Sequence, residues 1–239
     1  MEQAEGLSTM SPAIEGARNY SDWLFSALRT HLGREILEIG PGYGGMARLA
    51  LGAGIGYRAI DSDASVIEDL RSRLNIPTEC LSVGDVTKPE WSQRFRAAGV
   101  DTILLSNVLE HIEDDRGFLH AAVRGAPGGR LVILVPAMPC LYGTFDSQAG
   151  HYRRYSRGGL RSVLDKAGLR VRTLSYFNAV GAASWLVSAR ILRLPINSSG
   201  TNRSILLYDR FVIPAARFVD PVLRVFAGQS LLATADIPA

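Results

Sequence analysis

Residues 36–45 read Ile-Leu-Glu-Ile-Gly-Pro-Gly-Tyr-Gly-Gly, and this stretch decides the fold. A short apolar run ending in glycines predicts a buried strand that enters a helix through a tight turn. Glycine also lets the backbone approach a ligand where a side chain would block it. Gly40, Gly42 and Gly45 satisfy the dinucleotide spacing G-x-G-x-x-G. Glu38 speaks against a dinucleotide. A pyrophosphate would lie on the N-terminus of the following helix, where N–H groups and the helix dipole favour anions. A carboxylate two residues before the first glycine adds unfavourable charge there. It suits a ligand with an ammonium group and no phosphates, and S-adenosylmethionine is such a ligand.

Outward from this stretch, strands predicted over 35–39, 57–60, 79–83, 101–105 and 130–135 alternate with helical segments over 46–51, 64–74, 91–98 and 116–124. That alternation implies a parallel sheet with helices on both faces, and ligands bound beyond the carboxyl ends of its strands. Residues 1–16 read as a flexible arm, followed by a helix over Tyr20–His31 with Ser21 as its N-cap. Pro136–Tyr155 reads as a long loop of proline, glycine and aromatic residues, and Ser156 caps a helix running to Lys166. Strands are expected over 169–176 and 230–237, with a helical insertion over 178–227 between them. Within it, Asp220-Pro221 reads as an N-cap followed by proline at the first helical position. The expected organisation is one domain over 17–239, with 178–227 covering the substrate.

The ordered motifs resemble the class I S-adenosylmethionine-dependent methyltransferases. The first is an acidic residue followed by G-x-G-x-G, here Glu38, Gly40, Gly42 and Gly44. Asp61 in Ala-Ile-Asp-Ser-Asp, Gly84-Asp85-Val86, Ser106-Asn107-Val108-Leu109-Glu110-His111 and Pro127-Gly128-Gly129 follow in order, so the resemblance spans residues 18–175. It implies a doubly wound, Rossmann-like α/β fold with a seven-stranded, mostly parallel sheet and a helical insertion before the last strand. It implies S-adenosylmethionine as cofactor and S-adenosylhomocysteine as product. The methyl group is expected on an O, N or C atom of a small molecule, in specialised metabolism. Asp61, with Ser62 beside it, is expected at the ribose hydroxyls, and Asp85 with Val86 at the adenine. Ser106 faces the methionine end, and Tyr20 reaches the cofactor or the pocket lid.

Two histidines compete for the role of base, since imidazole titrates near neutrality. His111 follows the fourth strand in Leu-Glu-His-Ile. His151 opens His-Tyr-Arg-Arg-Tyr-Ser, the densest polar and aromatic cluster of the chain. Tyr142, Tyr152 and Arg153 are the expected substrate contacts of that loop, with Tyr155 as a hydrophobic staple ahead of the Ser156 cap. The cluster resembles relatives of the ubiquinone-type methyltransferases. No histidine or cysteine spacing offers a metal site.

Composition excludes little. The 239 residues carry a formal charge of +3, and 24 of the 26 basic residues are arginine, which points to coding bias rather than a binding surface. Cys80 and Cys140 are the only cysteines, and a reducing cytoplasm fits them. Arg203, Arg210, Arg217 and Arg224 recur every seven residues, but Pro214 and Pro221 are expected to break the helix beneath them, so a solvated face is expected, with a surface for acidic substrates or lipid headgroups beside Trp185 as the alternative. A small-molecule acceptor is expected, with no nucleic acid, membrane contact left open but not favoured, and a monomer or homodimer. The rival readings are an NAD-dependent oxidoreductase, a methyltransferase acting on lipid-linked or RNA acceptors, and a protein that uses the cofactor structurally. Cys140 after the fifth strand is the feature an RNA cytosine methyltransferase would exploit.

Overall fold

The strand expected ahead of the glycines is β1 (Glu35–Ile39), buried from Ile36 to Ile39. It pairs in parallel with β2 (Gly56–Asp61) on one side and β4 (Thr102–Ser106) on the other, while β3 (Leu81–Val83) pairs with β2. Beyond β4, β5 (Arg130–Pro136) continues the parallel run. β7 (Ser230–Asp236) enters between β5 and β6 (Arg170–Phe177), antiparallel to both. The order across the sheet is β3-β2-β1-β4-β5-β7-β6. The computed structural model describes residues 13–192 and 199–239.

Helices cover both faces because successive strand side chains point to opposite sides. On one face Ile36, Leu104, Val132 and Leu134 meet Leu24, Phe25 and Leu28, with Met46, Ala47, Val66 and Ile67 alongside. The helices involved are α1 (Ala13–Gly16), α2 (Arg18–Leu28), α3 (Gly45–Gly52) and α4 (Ala64–Arg73). On the other face Leu37, Ile103, Leu105, Ile133 and Val135 meet Phe95, Leu119, Leu160 and Leu164. Those side chains come from α5 (Pro89–Ala97), α6 (Asp115–Ala122) and, beyond α7 (Thr144–Gln148), α8 (Arg157–Lys166).

Between β6 and β7 lies the cap: α9 (Ala179–Trp185), π-helical turns over Leu186–Ile191, then α10 (Ser199–Leu207) and α11 (Ile213–Leu223). α10 and α11 form one helix, joined by the π-helical turn Tyr208–Val212. That turn corrects the expectation of a break. Pro214 lies two residues after its last residue, Val212, and a widened turn accommodates a ring that has no N–H to donate.

Two expected caps are also corrected. Ser21 lies inside α2, where its hydroxyl donates to the Ala17 carbonyl at 3.0 Å. The start of α2 is instead satisfied by Asp209 of the cap, whose carboxylate accepts from the N–H groups of Asn19 at 3.1 Å and Tyr20 at 2.7 Å. Asp220 and Pro221 lie within α11, and Asp220 accepts from the Ala179 N–H at the start of α9 at 2.7 Å. A carboxylate from a distant helix satisfies orphan N–H groups as well as a local one does, and local sequence cannot reveal it. Of the expected arm, residues 1–12 lie outside the described residues, while Ala13–Gly16 is a helical turn with Ala13 buried.

Candidate active site

A cavity of about 2100 Å³ opens over the carboxyl ends of β1, β2, β4 and β5, between α2 and the cap helices. Every residue expected on the cofactor side lines it: Tyr20, Glu38, Gly40, Gly42, Gly44, Asp61, Ser62, Asp85, Val86 and Ser106. Gly40 has φ +69°, and a Cβ there would meet Val108 Cγ2 at 2.6 Å. Gly42 and Gly44 also have positive φ, and Gly44 forms the left-handed N-cap of α3. Side chains at these positions would be strained.

Glu38 is buried and accepts from the Tyr57 hydroxyl at 2.6 Å, while burial pushes its carboxyl up to about 8. It therefore faces the cavity with one oxygen fixed and its charge unfavoured until a cation approaches. Asp61 accepts from the Asp63 N–H at 2.9 Å. Asp85 accepts from the Thr87 hydroxyl at 2.6 Å and the Thr87 N–H at 2.9 Å, and the hydroxyl bond holds its carboxyl below the usual range against the effect of burial. The Tyr20 ring packs on Phe177, and burial pushes its hydroxyl up to about 12.

The far wall is built from β4 and the loop after β5. Asp146 Oδ1 accepts from His151 Nδ1 at 2.9 Å and from Arg154 Nε at 2.8 Å, and Oδ2 accepts from the Gly143 N–H at 3.0 Å. Burial pushes the Asp146 carboxyl up, but the His151, Arg154 and Gly143 contacts more than offset it and hold the carboxyl low. An anionic acceptor at Nδ1 assigns the imidazole hydrogen to that nitrogen and leaves the Nε2 lone pair free. Arg154 also donates to the Ala137 carbonyl at 3.0 Å and lies 4.4 Å over the Trp185 ring. His111 stands edge-on to His151 with ring centres 4.6 Å apart, and burial first, then repulsion from His151 when that ring is protonated, takes it down to about 4. Glu110 is fully buried with neither carboxyl oxygen hydrogen-bonded, and burial pushes it up to about 8.

Glu110, His111 and His151 each offer one ligand atom, all within 4.8 Å of one another. The donor types suit a divalent cation. Sequence spacing hides this grouping, because His151 comes from a different loop 40 residues on.

Tyr142, Tyr152 and Arg153, expected to contact substrate, do not line the cavity. Tyr152 is 40% exposed, and Arg153 bonds outward to Asp115 at 2.9 Å and to the Glu113 carbonyl at 2.8 Å. In this loop His151 and Arg154 turn inward, so the two residues between them face out. Tyr142 braces the loop by donating to the His151 carbonyl at 2.7 Å. Sequence reasoning passed over Glu110, Arg154, Trp185 and Tyr208, all of which line the cavity. Asp146 and Arg154, an unlike-charged pair in an aromatic loop, were the available signal.

Glu38 and Glu110 act on stability in the same direction. Each keeps its proton in the folded protein up to about pH 8, whereas an unfolded glutamate loses it near about pH 4.3. Between those values the unfolded chain binds fewer protons, so stability falls as pH rises and levels off above the folded values. The urea midpoint is therefore expected to drop between about pH 5 and about pH 8. Glu110→Gln should flatten that drop, and a midpoint that climbs across the window would contradict the assignment.

Residues 15–174 match the family model described as a methyltransferase domain. No curated protein matches the chain. Among solved structures, an S-adenosylmethionine-dependent methyltransferase from Archaeoglobus fulgidus is 18% identical with a TM-score of 0.55, covering 90% of this chain and 94% of that one. One from Mesorhizobium loti is 16% identical with a TM-score of 0.58, covering 90% and 97%. Geranyl diphosphate C-methyltransferase from Streptomyces coelicolor, solved with Mg2+, geranyl diphosphate and S-adenosylhomocysteine, is 14% identical with a TM-score of 0.61, covering 94% and 82%. The family match covers more than half of the sequence, and the sheet order and glycine loop agree with it. The chain belongs to the methyltransferase-domain family and is a class I S-adenosylmethionine-dependent methyltransferase.

Proposed function

We propose that this enzyme methylates a small molecule whose nucleophile carries a proton, a hydroxyl above all, with His151 as the base and residues 178–227 as the acceptor cap. The Asp146–His151 pair on the cavity wall carries the reading. S-adenosylmethionine supplies a methyl group on a sulfonium whose leaving group is a neutral thioether. The chain's task is alignment, worth ~7–11 kcal/mol of barrier, and removal of a proton, worth a further ~10²–10⁴-fold. The glycine loop lets the backbone approach the cofactor, Asp61 takes the ribose hydroxyls, and Glu38 offers the ammonium group a carboxylate. His151 Nε2 takes the acceptor's proton as the new bond to carbon forms, and Asp146 stabilises the imidazolium. His111 is held too weakly basic for that role.

Phe145, Trp185, Ile205, Tyr208 and Ile213 give the acceptor side apolar walls, which fit a compact organic acceptor. The geranyl diphosphate enzyme offers a precedent for a small acceptor on this fold. Cys140 lies outside the cavity, which weighs against a covalent RNA mechanism. The test is S-adenosylhomocysteine release with a panel of phenols, enols, amines and RNA. Turnover with a hydroxylated acceptor and none with RNA is expected. Turnover with RNA alone would sink the reading.

A further inference from the structure

The cap helix presents an outer face that neither the cavity nor the sheet uses. Phe211, Ala215, Phe218 and Val222 follow spacings of four, three and four, so they line one side of the helix. Phe211 is 66% exposed, Phe218 80% and Val222 68%, and Phe226 just beyond is 79% exposed. On the opposite side Asp209, Ile213, Ala216 and Asp220 are all buried. A helix already seated by one side, with a second, aromatic and aliphatic side turned to water, signals a missing partner.

Charge identifies the partner. Arg203, Arg210, Arg217 and Arg224 are all exposed along this segment. Arg210 lies 5.4 Å over the Phe211 ring and Arg217 5.9 Å over Phe218. The acidic residues of 199–226 are Asp209 and Asp220, and both are turned inward onto the ends of α2 and α9. Those two contacts fix the rotation of the helix, so its outer face carries aromatic and aliphatic side chains with positive charge and no negative charge. A second copy docked symmetrically on this face would set arginine against arginine. No helix among the described residues is long and apolar enough to cross a membrane.

We propose that the outer face of the 199–226 segment docks on an anionic lipid surface, with Phe211, Phe218, Val222 and Phe226 entering the headgroup boundary and the four arginines on lipid phosphates. Thr201, Ser204, Ile205 and Tyr208 of the same helix line the cavity. Docking therefore brings the acceptor entrance to the lipid boundary, where an amphipathic acceptor is concentrated. The inference rests on the cap alone and stands whether or not His151 is the base.

Flotation of the whole protein with phosphatidylcholine vesicles, with and without phosphatidylglycerol, tests it. Binding is expected only with phosphatidylglycerol, and it should fall as salt rises from about 0.1 M to about 1 M, where screening shortens from about 10 Å to about 3 Å. Arg210→Gln/Arg217→Gln should weaken partitioning about fivefold per charge. Phe218→Ser/Phe226→Ser should weaken it by about tenfold or more, with cofactor affinity by calorimetry unchanged as the check on folding. Absence of binding to anionic vesicles overturns the proposal, as does equal binding to neutral ones. A dimer of the wild type that Phe218→Ser/Phe226→Ser dissolves, without vesicle binding, would give the face to a second copy of the chain instead.

Discussion

His151→Ala is expected to lower kcat by about 10²–10⁴-fold while leaving S-adenosylmethionine affinity nearly unchanged. The imidazole touches Asp146 and faces Glu110, and it lies on the wall across from the glycine loop, so its loss removes the proposed base without disturbing the cradle. The acid limb of the pH–rate profile should vanish with it, since that limb reports protonation of the base. Asp146→Asn should give an intermediate loss, because an amide no longer holds the hydrogen on Nδ1 and no longer stabilises the imidazolium. A variant without His151 that keeps full turnover and the same pH profile would remove it from the mechanism. A merely structural role would instead raise the acceptor KM with kcat preserved.

Arg154→Ala is expected to cost about 3–5 kcal/mol of stability, because it strands a buried carboxylate. Asp146 and Arg154 side chains are 0% and 1% exposed, and the guanidinium also satisfies the Ala137 carbonyl and covers Trp185. For a chain of this size that cost lowers the melting temperature by roughly 6–20 °C. Adding Asp146→Asn should recover part of the loss, since the neutral amide has less need of the cation, and the double-mutant cycle reads the coupling directly. A drop within about 1 kcal/mol would mean that water replaces the guanidinium at Asp146.

The sheet and the glycine turn at its edge were legible because their signals are local. β1 was expected over residues 35–39 and occupies them, since four apolar or buried positions run straight into glycines that need positive φ. The α8 cap was legible for the same reason: Ser156 accepts from the Gly159 N–H at 3.0 Å, three residues on. Sequence failed where partners come from afar. Ser21 looked like a cap because nothing nearby announces Asp209, which lies 190 residues away from Asn19. The acceptor wall failed in a different way. The loop was found, but which of His151, Tyr152, Arg153 and Arg154 turn inward depends on Asp146 and on the bond from the Tyr152 N–H to the Glu110 carbonyl. Composition carries no record of that bond.

The chain leaves the sheet for the cap after Phe177 and returns at Ser230, and these two residues are paired neighbours across β6 and β7. Topologically, everything between them is the loop of a hairpin. Closing such a loop costs only about 0.6 kcal/mol more for each doubling of its length, so the sheet barely registers what hangs between those ends. If residues 178–227 wall the acceptor as proposed, their share of acceptor selectivity is separable from methyl-donor chemistry. A foreign segment spliced between Phe177 and Ser230 can bring a new acceptor wall, provided that it supplies carboxylates for the open ends of α2 and α9.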